Sequence, residues 1–212
     1  MDFSLTDDQE LMIESAREYA ERYFTDEAVK QAYEVDHHIS VEAAMAYREA
    51  GFMHMGLPED IGGIPVDKLT EILLVEKLHE FTGVVLPFVT DFNTITDVID
   101  FGTKEQQELI MNAIENVEST CIAEPAAGSD NNAMTCVTRK QPDGTYLLNG
   151  QKTWVTLGGL SLYTMVVAKD EDPSYENDKY SLWLVPNDAE GFTVASLEKV
   201  GQQAIPFVDQ FF

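Results

Sequence analysis

Residues 121–133 read CIAEPAAGSDNNA, and residues 149–156 read NGQKTWVT. The reading of the whole chain turns on these two stretches. Cys121-Ile122-Ala123 is a short apolar run. Pro125 forbids a helix from continuing through it and biases Glu124 towards an extended backbone. Ala126, Ala127, Gly128, Ser129 and Asp130 then lack bulk, so a ligand can approach the main chain, and Gly128 admits turn conformations closed to other residues. Amides in such a turn can converge on an anion. An ordinary strand-to-loop transition would carry the same composition.

The second stretch follows a turn signal, Pro142-Asp143-Gly144, and a strand-like Tyr146-Leu147-Leu148. Asn149-Gly150 is a strong hairpin-turn dipeptide. Lys152 to Thr156 is rich in β-branched and aromatic residues, as a strand is. Alternation along a strand puts Trp154 and Thr156 on one face. An indole plane beside a hydroxyl suits a flat aromatic cofactor; a core tryptophan on a half-buried strand is the structural alternative.

Outward from these stretches, the hydrophobic period changes once. Before about Thr120 it is helical. Thr6 and Gln9 form a capping-box pattern, and Met12, Ala16, Tyr19, Ala20 and Tyr23 share the face that follows. Ser40 caps a segment running to Ala50. Residues 67–79 read helical, with Leu69, Ile72, Leu73, Glu76 and Leu78 as the stripe. Residues 84–101 suit a buried helix with Pro87 in its first turn. Thr103 and Gln106 repeat the capping pattern. After Thr120 the period becomes two, with strands expected at 134–140, 145–149, 162–168, 180–186 and 191–197. Helices first and strands second give an α+β chain in two parts, 1–119 and 120–212.

Thirteen basic residues face 38 acidic ones, for a net charge of −25 over 212 residues. Such a balance argues against nucleic acid and anionic membrane surfaces as partners. The two cysteines, Cys121 and Cys136, are too few for a disulfide framework and read as reduced thiols. No signal peptide or apolar run of transmembrane length is visible. His37-His38 and His79-Glu80 lack metal-ligand spacing, so no metal site is expected, and neither a Rossmann glycine fingerprint nor a P-loop occurs.

The two opening stretches resemble the E-P-x-A/G-G-S-D and N-G-x-K-x-W-I/V-T segments of the acyl-CoA dehydrogenase family, in the same order. FSLTDDQELM resembles the opening of that family's first helix, and GFMHMGLPEDIGG, residues 51–63, resembles its P-E-x-x-G-G loop. The resemblance runs almost the length of the chain. It departs at Ala123, where the family often has Ser or Thr. It implies an N-terminal helical bundle, then an antiparallel, β-barrel-like middle domain truncated near its last strand, with a C-terminal helical domain missing.

What the resemblance implies for chemistry is FAD-dependent transfer of hydrogen between the α,β positions of an acyl-CoA thioester and the flavin. The flavin-binding set it implies is Thr120, Cys121, Ile122, Ala123, Glu124, Gly128, Ser129, Trp154, Val155 and Thr156, with Trp154 stacking and Thr156 hydrogen-bonding. Ser129 would also meet the substrate. Lys179 is a candidate contact to coenzyme A, with a solvated surface lysine as the alternative. The catalytic base is expected in the missing C-terminal part, and Glu124 is not assigned that role. Acyl-CoA, an electron-transfer flavoprotein, a homo-oligomer (tetramer or dimer) and a cytoplasmic location are implied as well. Residues 91–111, DFNTITDVIDFGTKEQQELIM, and the start of the chain resemble the crotonobetainyl-CoA reductase branch. That branch would need a lining for a trimethylammonium group, for which Asp91, Phe92, Asp97, Phe81 and Phe88 are candidates. A non-catalytic interaction module that keeps the fold without flavin is the other reading; Ala123 favours it, and Trp154, Thr156, Gly128 and Ser129 oppose it.

Overall fold

The computed structural model describes residues 4–86, 88–112, 121–127, 130–171 and 179–212, and the side chains of residues 88–94 and 179 lie outside that description. Helices α1 (Asp7–Tyr23), α2 (Asp26–Gln31), α3 (Val41–Glu49), α4 (Lys68–Thr82), α5 (Phe88–Phe101) and α6 (Lys104–Asn112) precede seven strands. These are β1 (Val137–Lys140), β2 (Tyr146–Asn149), β3 (Gln151–Thr156), β4 (Tyr163–Asp170), β5 (Lys179–Pro186), β6 (Thr193–Ser196) and β7 (Phe207–Phe211). The chain divides into two compact units. One takes Met1–Val89, Lys104–Asn112 and Lys199–Ile205; the other takes Thr90–Thr103, Ala113–Glu198 and Pro206–Phe212.

In the first unit the caps expected at Thr6 and Ser40 are in place. Thr6 and Gln9 close a reciprocal capping box on α1, and Ser40 accepts from a first-turn amide of α3; Asp67, read from the sequence as the start of a helix, proves to be the N-cap of α4. These bonds satisfy amides that a helix start otherwise leaves orphaned. Helix α1 buries Gln9, Met12, Ile13, Ala16, Tyr19 and Ala20, the face read from the sequence with Gln9 and Ile13 added and Tyr23 only half-buried. Tyr19 donates to the Ala43 carbonyl at 3.0 Å and packs among Tyr23, Phe24, Tyr47 and Phe52.

The stripe expected on α4 is rotated. Thr70, Leu74, Leu78 and Thr82 are buried, whereas Leu69 and Ile72 are exposed. Two threonines can lie inside because their hydroxyls are partnered. Thr70 accepts from Gln9 Nε2 and donates to Asp67, and Thr82 donates to the Leu78 carbonyl. A hydrogen-bonded hydroxyl costs little to bury, so apolarity alone misplaces the inner face.

Residues 51–63 close on themselves. Gly56 donates to Ile64 and Ile64 to His54, and Gly63 lies so near the Leu57 carbonyl that a Cβ there would fall 2.3 Å from its oxygen. Only glycine fits that approach.

The second unit holds two open sheets, ordered β2-β1-β4-β5 and β3-β7-β6, rather than a closed barrel. All strand pairs are antiparallel except β1 with β4. The 141–145 turn joins β1 to β2 as expected, with Asp143 accepting from the Thr145 amide.

Asn149-Gly150 is not a hairpin turn. It is the corner at which the chain leaves one sheet and enters the other, so β2 and β3 do not pair. Gly150 instead exchanges backbone hydrogen bonds with Phe212. A Cβ at Gly150 would lie 2.6 Å from Cys136 Cα, so close backbone approach, not turn geometry, requires the glycine. Strand β7 (Phe207–Phe211) is not marked by the period of two, although the resemblance implies a last strand near the end of the chain. It forms the middle of the second sheet, and its flanking Pro206 and polar Asp209 and Gln210 obscure its period.

Candidate functional site

The two sequence stretches meet in the second unit. Cys121 donates its amide to the Met165 carbonyl at 2.7 Å and accepts from Val167 at 3.1 Å, adding a short parallel bridge to β4. Two residues on, the Ala123 carbonyl accepts from the Thr153 amide of β3 at 3.0 Å. Residues 121–124 therefore stitch the four-stranded sheet to the three-stranded one.

A buried ion pair locks the same junction. Lys152 Nζ reaches Glu124 Oε1 at 2.9 Å and the Ile122 carbonyl at 3.1 Å, with Lys152 0% and Glu124 1% exposed. Glu124 also accepts from the Thr135 amide and hydroxyl and from the Cys136 amide. Burial alone would raise the Glu124 carboxyl; the Lys152 ammonium and these donors outweigh it and hold the group below the ordinary carboxylate range. A carboxylate this occupied is a structural anion and not a free base. The Cys136 thiol is pushed up to about 11, chiefly by burial. Cys121 lies in the core against Val155 and Val208, with its Sγ donating to Gln210 Oε1 at 3.4 Å.

Strand β3 is irregular where the site needs it. Its ladder with β7 pairs Lys152 with Gln210 and then Val155 with Val208, so one extra residue is accommodated between them. Trp154 sits in that bulge with φ +57°, in the left-handed region, and is 60% exposed. Leu157 is left-handed too, at φ +64°. Two such residues bracket Val155 and Thr156. Each costs on the order of 1–3 kcal/mol for a side chain of this kind, and such strain gathers at functional sites. The expected alternation holds from Thr153 to Thr156: Trp154 points out, Val155 in, and Thr156 is half-buried. It fails between Lys152 and Thr153, which are both buried, because the bulge intervenes. Trp154 is thus not a core tryptophan.

Of the residues expected to face a cofactor, Ile122 and Trp154 are exposed and Ala123 and Thr156 half-buried, while the side chains of Cys121, Glu124 and Val155 are buried. Thr120, Gly128 and Ser129 lie outside the described residues, as does the side chain of Lys179. The ion pair and the bulge were not read from the sequence. Lys152 stands two residues before Trp154, inside a run of strand formers, and nothing local marks it as inward.

Among the aromatic candidates for a cationic substrate, Phe81 already carries the Arg17 guanidinium 4.2 Å above its ring. The side chains of Phe88, Asp91 and Phe92 lie outside the described residues, and Asp97 is half-buried on α5. Among the described residues, no three His, Cys, Asp or Glu gather as a metal site would require, and no helix is long and apolar enough to cross a membrane.

Comparison with known proteins gives the geometry a family. Residues 6–118 match the profile of the acyl-CoA dehydrogenase N-terminal domain, and residues 119–212 that of the acyl-CoA dehydrogenase middle domain. The chain is 32% identical over 206 residues to the probable acyl-CoA dehydrogenase YdiO of Escherichia coli K12, covering 95% of this chain and 53% of that protein. It is 29% identical over 211 residues to the 3-sulfinopropanoyl-CoA desulfinase of Advenella mimigardefordensis, covering 96% and 52%. Among solved structures it superposes on butyryl-CoA dehydrogenase from Megasphaera elsdenii with a TM-score of 0.86 and 25% identity, over 100% of this chain and 57% of that one. The chain spans about half the length of the curated relatives it matches. With both domain profiles matched in order along its length, the chain belongs to the acyl-CoA dehydrogenase family.

Proposed function

We propose that this chain forms the helical N-terminal domain and the flavin-holding β domain of an FAD-dependent enzyme that transfers hydrogen between the α,β positions of an acyl-CoA thioester and the flavin. The observation that carries the proposal is Trp154. A large aromatic side chain stands 60% exposed on a backbone held in the left-handed region, in a bulge hydrogen-bonded to the Cys121–Glu124 segment through Thr153. Among the described residues nothing packs over that ring to account for its place, and a planar cofactor would supply a reason.

The residues present fit such a group. Trp154 offers the stacking plane and Thr156, two positions on, a half-buried hydroxyl. Ile122 adds exposed apolar surface, and beside it Ala123 is half-buried with only a methyl side chain. Gly128, Ser129 and Thr120 complete the proposed set. When bound, FAD supplies the hydride-accepting chemistry that side chains lack. The chain's own task is to orient: buried anchors at Glu124, Lys152 and Val155 hold Trp154 and Thr156 in place. Ser129 and Lys179 are proposed to meet the thioester's coenzyme A portion.

Acyl-chain choice and reaction direction belong to the same proposal. Residues 91–111 favour a short, charged acyl group, with Phe81 withdrawn from the candidate lining because Arg17 covers it. An electron-transfer flavoprotein partner and homo-oligomerisation are proposed with the family's chemistry.

The test is the visible spectrum of the purified full-length protein, before and after Trp154→Ala. The expected result is a flavin band in the wild type that is depleted in the variant. A colourless protein that takes up no FAD on titration would favour the non-catalytic module.

A further inference from the structure

Trp154 is held in an unfavourable backbone conformation, so something must oppose its relaxation. The bulge removes the ladder bonds that would otherwise do this. Across it the register runs three steps on β3 and two on β7, and the β7 residue standing opposite the gap is Asp209. Its carboxylate is turned onto the bulged strand. Thr153 Oγ1 donates to Asp209 Oδ1 at 2.5 Å, and Gln151 Nε2 donates to Asp209 Oδ2 at 3.2 Å. The Thr153 amide is meanwhile committed to Ala123. Beyond the bulge, Val155 is fixed in the core with Val208, and Leu157 donates to the Pro206 carbonyl at 3.0 Å.

We propose that Asp209, acting through the Thr153 hydroxyl, is a positioning residue that holds the β3 bulge and so keeps the Trp154 indole turned outward as a stacking plane. The proposal rests on the flavin reading for its purpose, but not for its geometry. A charge-assisted side-chain bond takes the place of the absent backbone pair, and it does so at the residue adjoining the indole. The buried pair Lys152–Glu124 anchors the strand from the other side, and its loss would disturb the whole junction. Asp209 is half-buried, so it can be altered without opening the core, and at the buried Thr153 valine keeps the side-chain volume while removing the hydroxyl.

The sequence has two tryptophans, so Trp183→Phe leaves Trp154 as the one indole reporter. In that background of the full chain, time-resolved fluorescence anisotropy reads the local motion of Trp154, which falls in the picosecond-to-nanosecond range of exposed side chains. Asp209→Ala and Thr153→Val remove the bond. Asp209→Asn and Thr153→Ser keep an acceptor and a hydroxyl. The expected result is a fast component about twofold larger in the first pair, as for a side chain freed from one rotamer well, and unchanged in the second.

Unchanged decay in all four folded variants would overturn the proposal. Equal loosening in all four would overturn it too, as would loosening in Thr153→Ser but not in Thr153→Val, because a packing role follows the methyl and not the hydroxyl. If one bond-breaking variant does not fold, the other decides. FAD titration separates this from the reading of function. Trp154→Ala with wild-type FAD affinity would defeat the flavin assignment while the anisotropy result still stands or falls alone.

Discussion

The Lys152 ammonium lies 2.9 Å from Glu124 Oε1 at a junction where neither side chain reaches solvent. The pair joins the two stretches through which the family is recognised. Glu124 is the buried acid of the first and Lys152 the base of the second, and their attraction ties residues 121–124 to β3. The carboxylate and ammonium are conspicuous as catalytic groups by type. By placement they are scaffold.

Glu124→Gln should be severely destabilising. Both carboxylate oxygens accept from N–H donors, so an amide NH2 must face one of them whichever way it turns. Breaking a buried pair from one side costs about 3–5 kcal/mol, and urea denaturation should show a loss in that range. Lys152→Met should cost less, because the carboxylate keeps its bonds from Thr135 and Cys136. The reverse order would contradict the structure.

The same carboxylate predicts an acid limb in stability. Its folded pKa is lowered, so the unfolded chain binds the proton more readily. The stabilisation is complete above the ordinary carboxylate pKa and is lost as pH falls through the lowered folded value. Unfolding free energy measured against pH should therefore decline on the acid side. The Lys152→Met variant should show a shallower decline, since the largest of the bonds lowering that pKa is gone.

Trp154→Gly should separate stability from binding. Glycine adopts φ near +57° freely, and relief of the left-handed backbone offsets its greater chain entropy. The expected change in thermal stability is between none and a gain of about 1 kcal/mol. Retained flavin should fall by the same measure as in Trp154→Ala, about 1–3 kcal/mol of affinity. A clear loss of stability in Trp154→Gly would mean the ring packs as core.

Both thiols should be silent in the native protein. Cys136 is fully buried with its pKa pushed up to about 11, and Cys121 is 4% exposed. A thiol reagent at pH 8 should label neither until denaturant is added, because both sulfurs are shielded and the Cys136 thiolate is scarce. Rapid labelling of either would show that the junction opens.

Legible in the sequence alone were the helices-then-strands order, the caps at Thr6 and Ser40, and the two stretches that carry the family. These are local or pattern properties: a capping hydroxyl bonds an amide two or three residues away, and a motif is legible wherever it folds. It also made Trp154 and Thr156 candidates by type. The features that needed the folded chain involve partners distant in sequence. Asn149-Gly150 became a corner between sheets because Cys136 lies against Gly150, not because the dipeptide lacks turn propensity. Strand β3 gained a bulge because β7, more than fifty residues on, pairs with it in shifted register. The inner face of α4 follows Thr70 because Gln9, 61 residues earlier, satisfies its hydroxyl. Lys152 is buried because Glu124 awaits it. Hydrophobic period reports which residues avoid water unaided, and none of these do; each is placed by a single partner whose approach only the folded chain specifies.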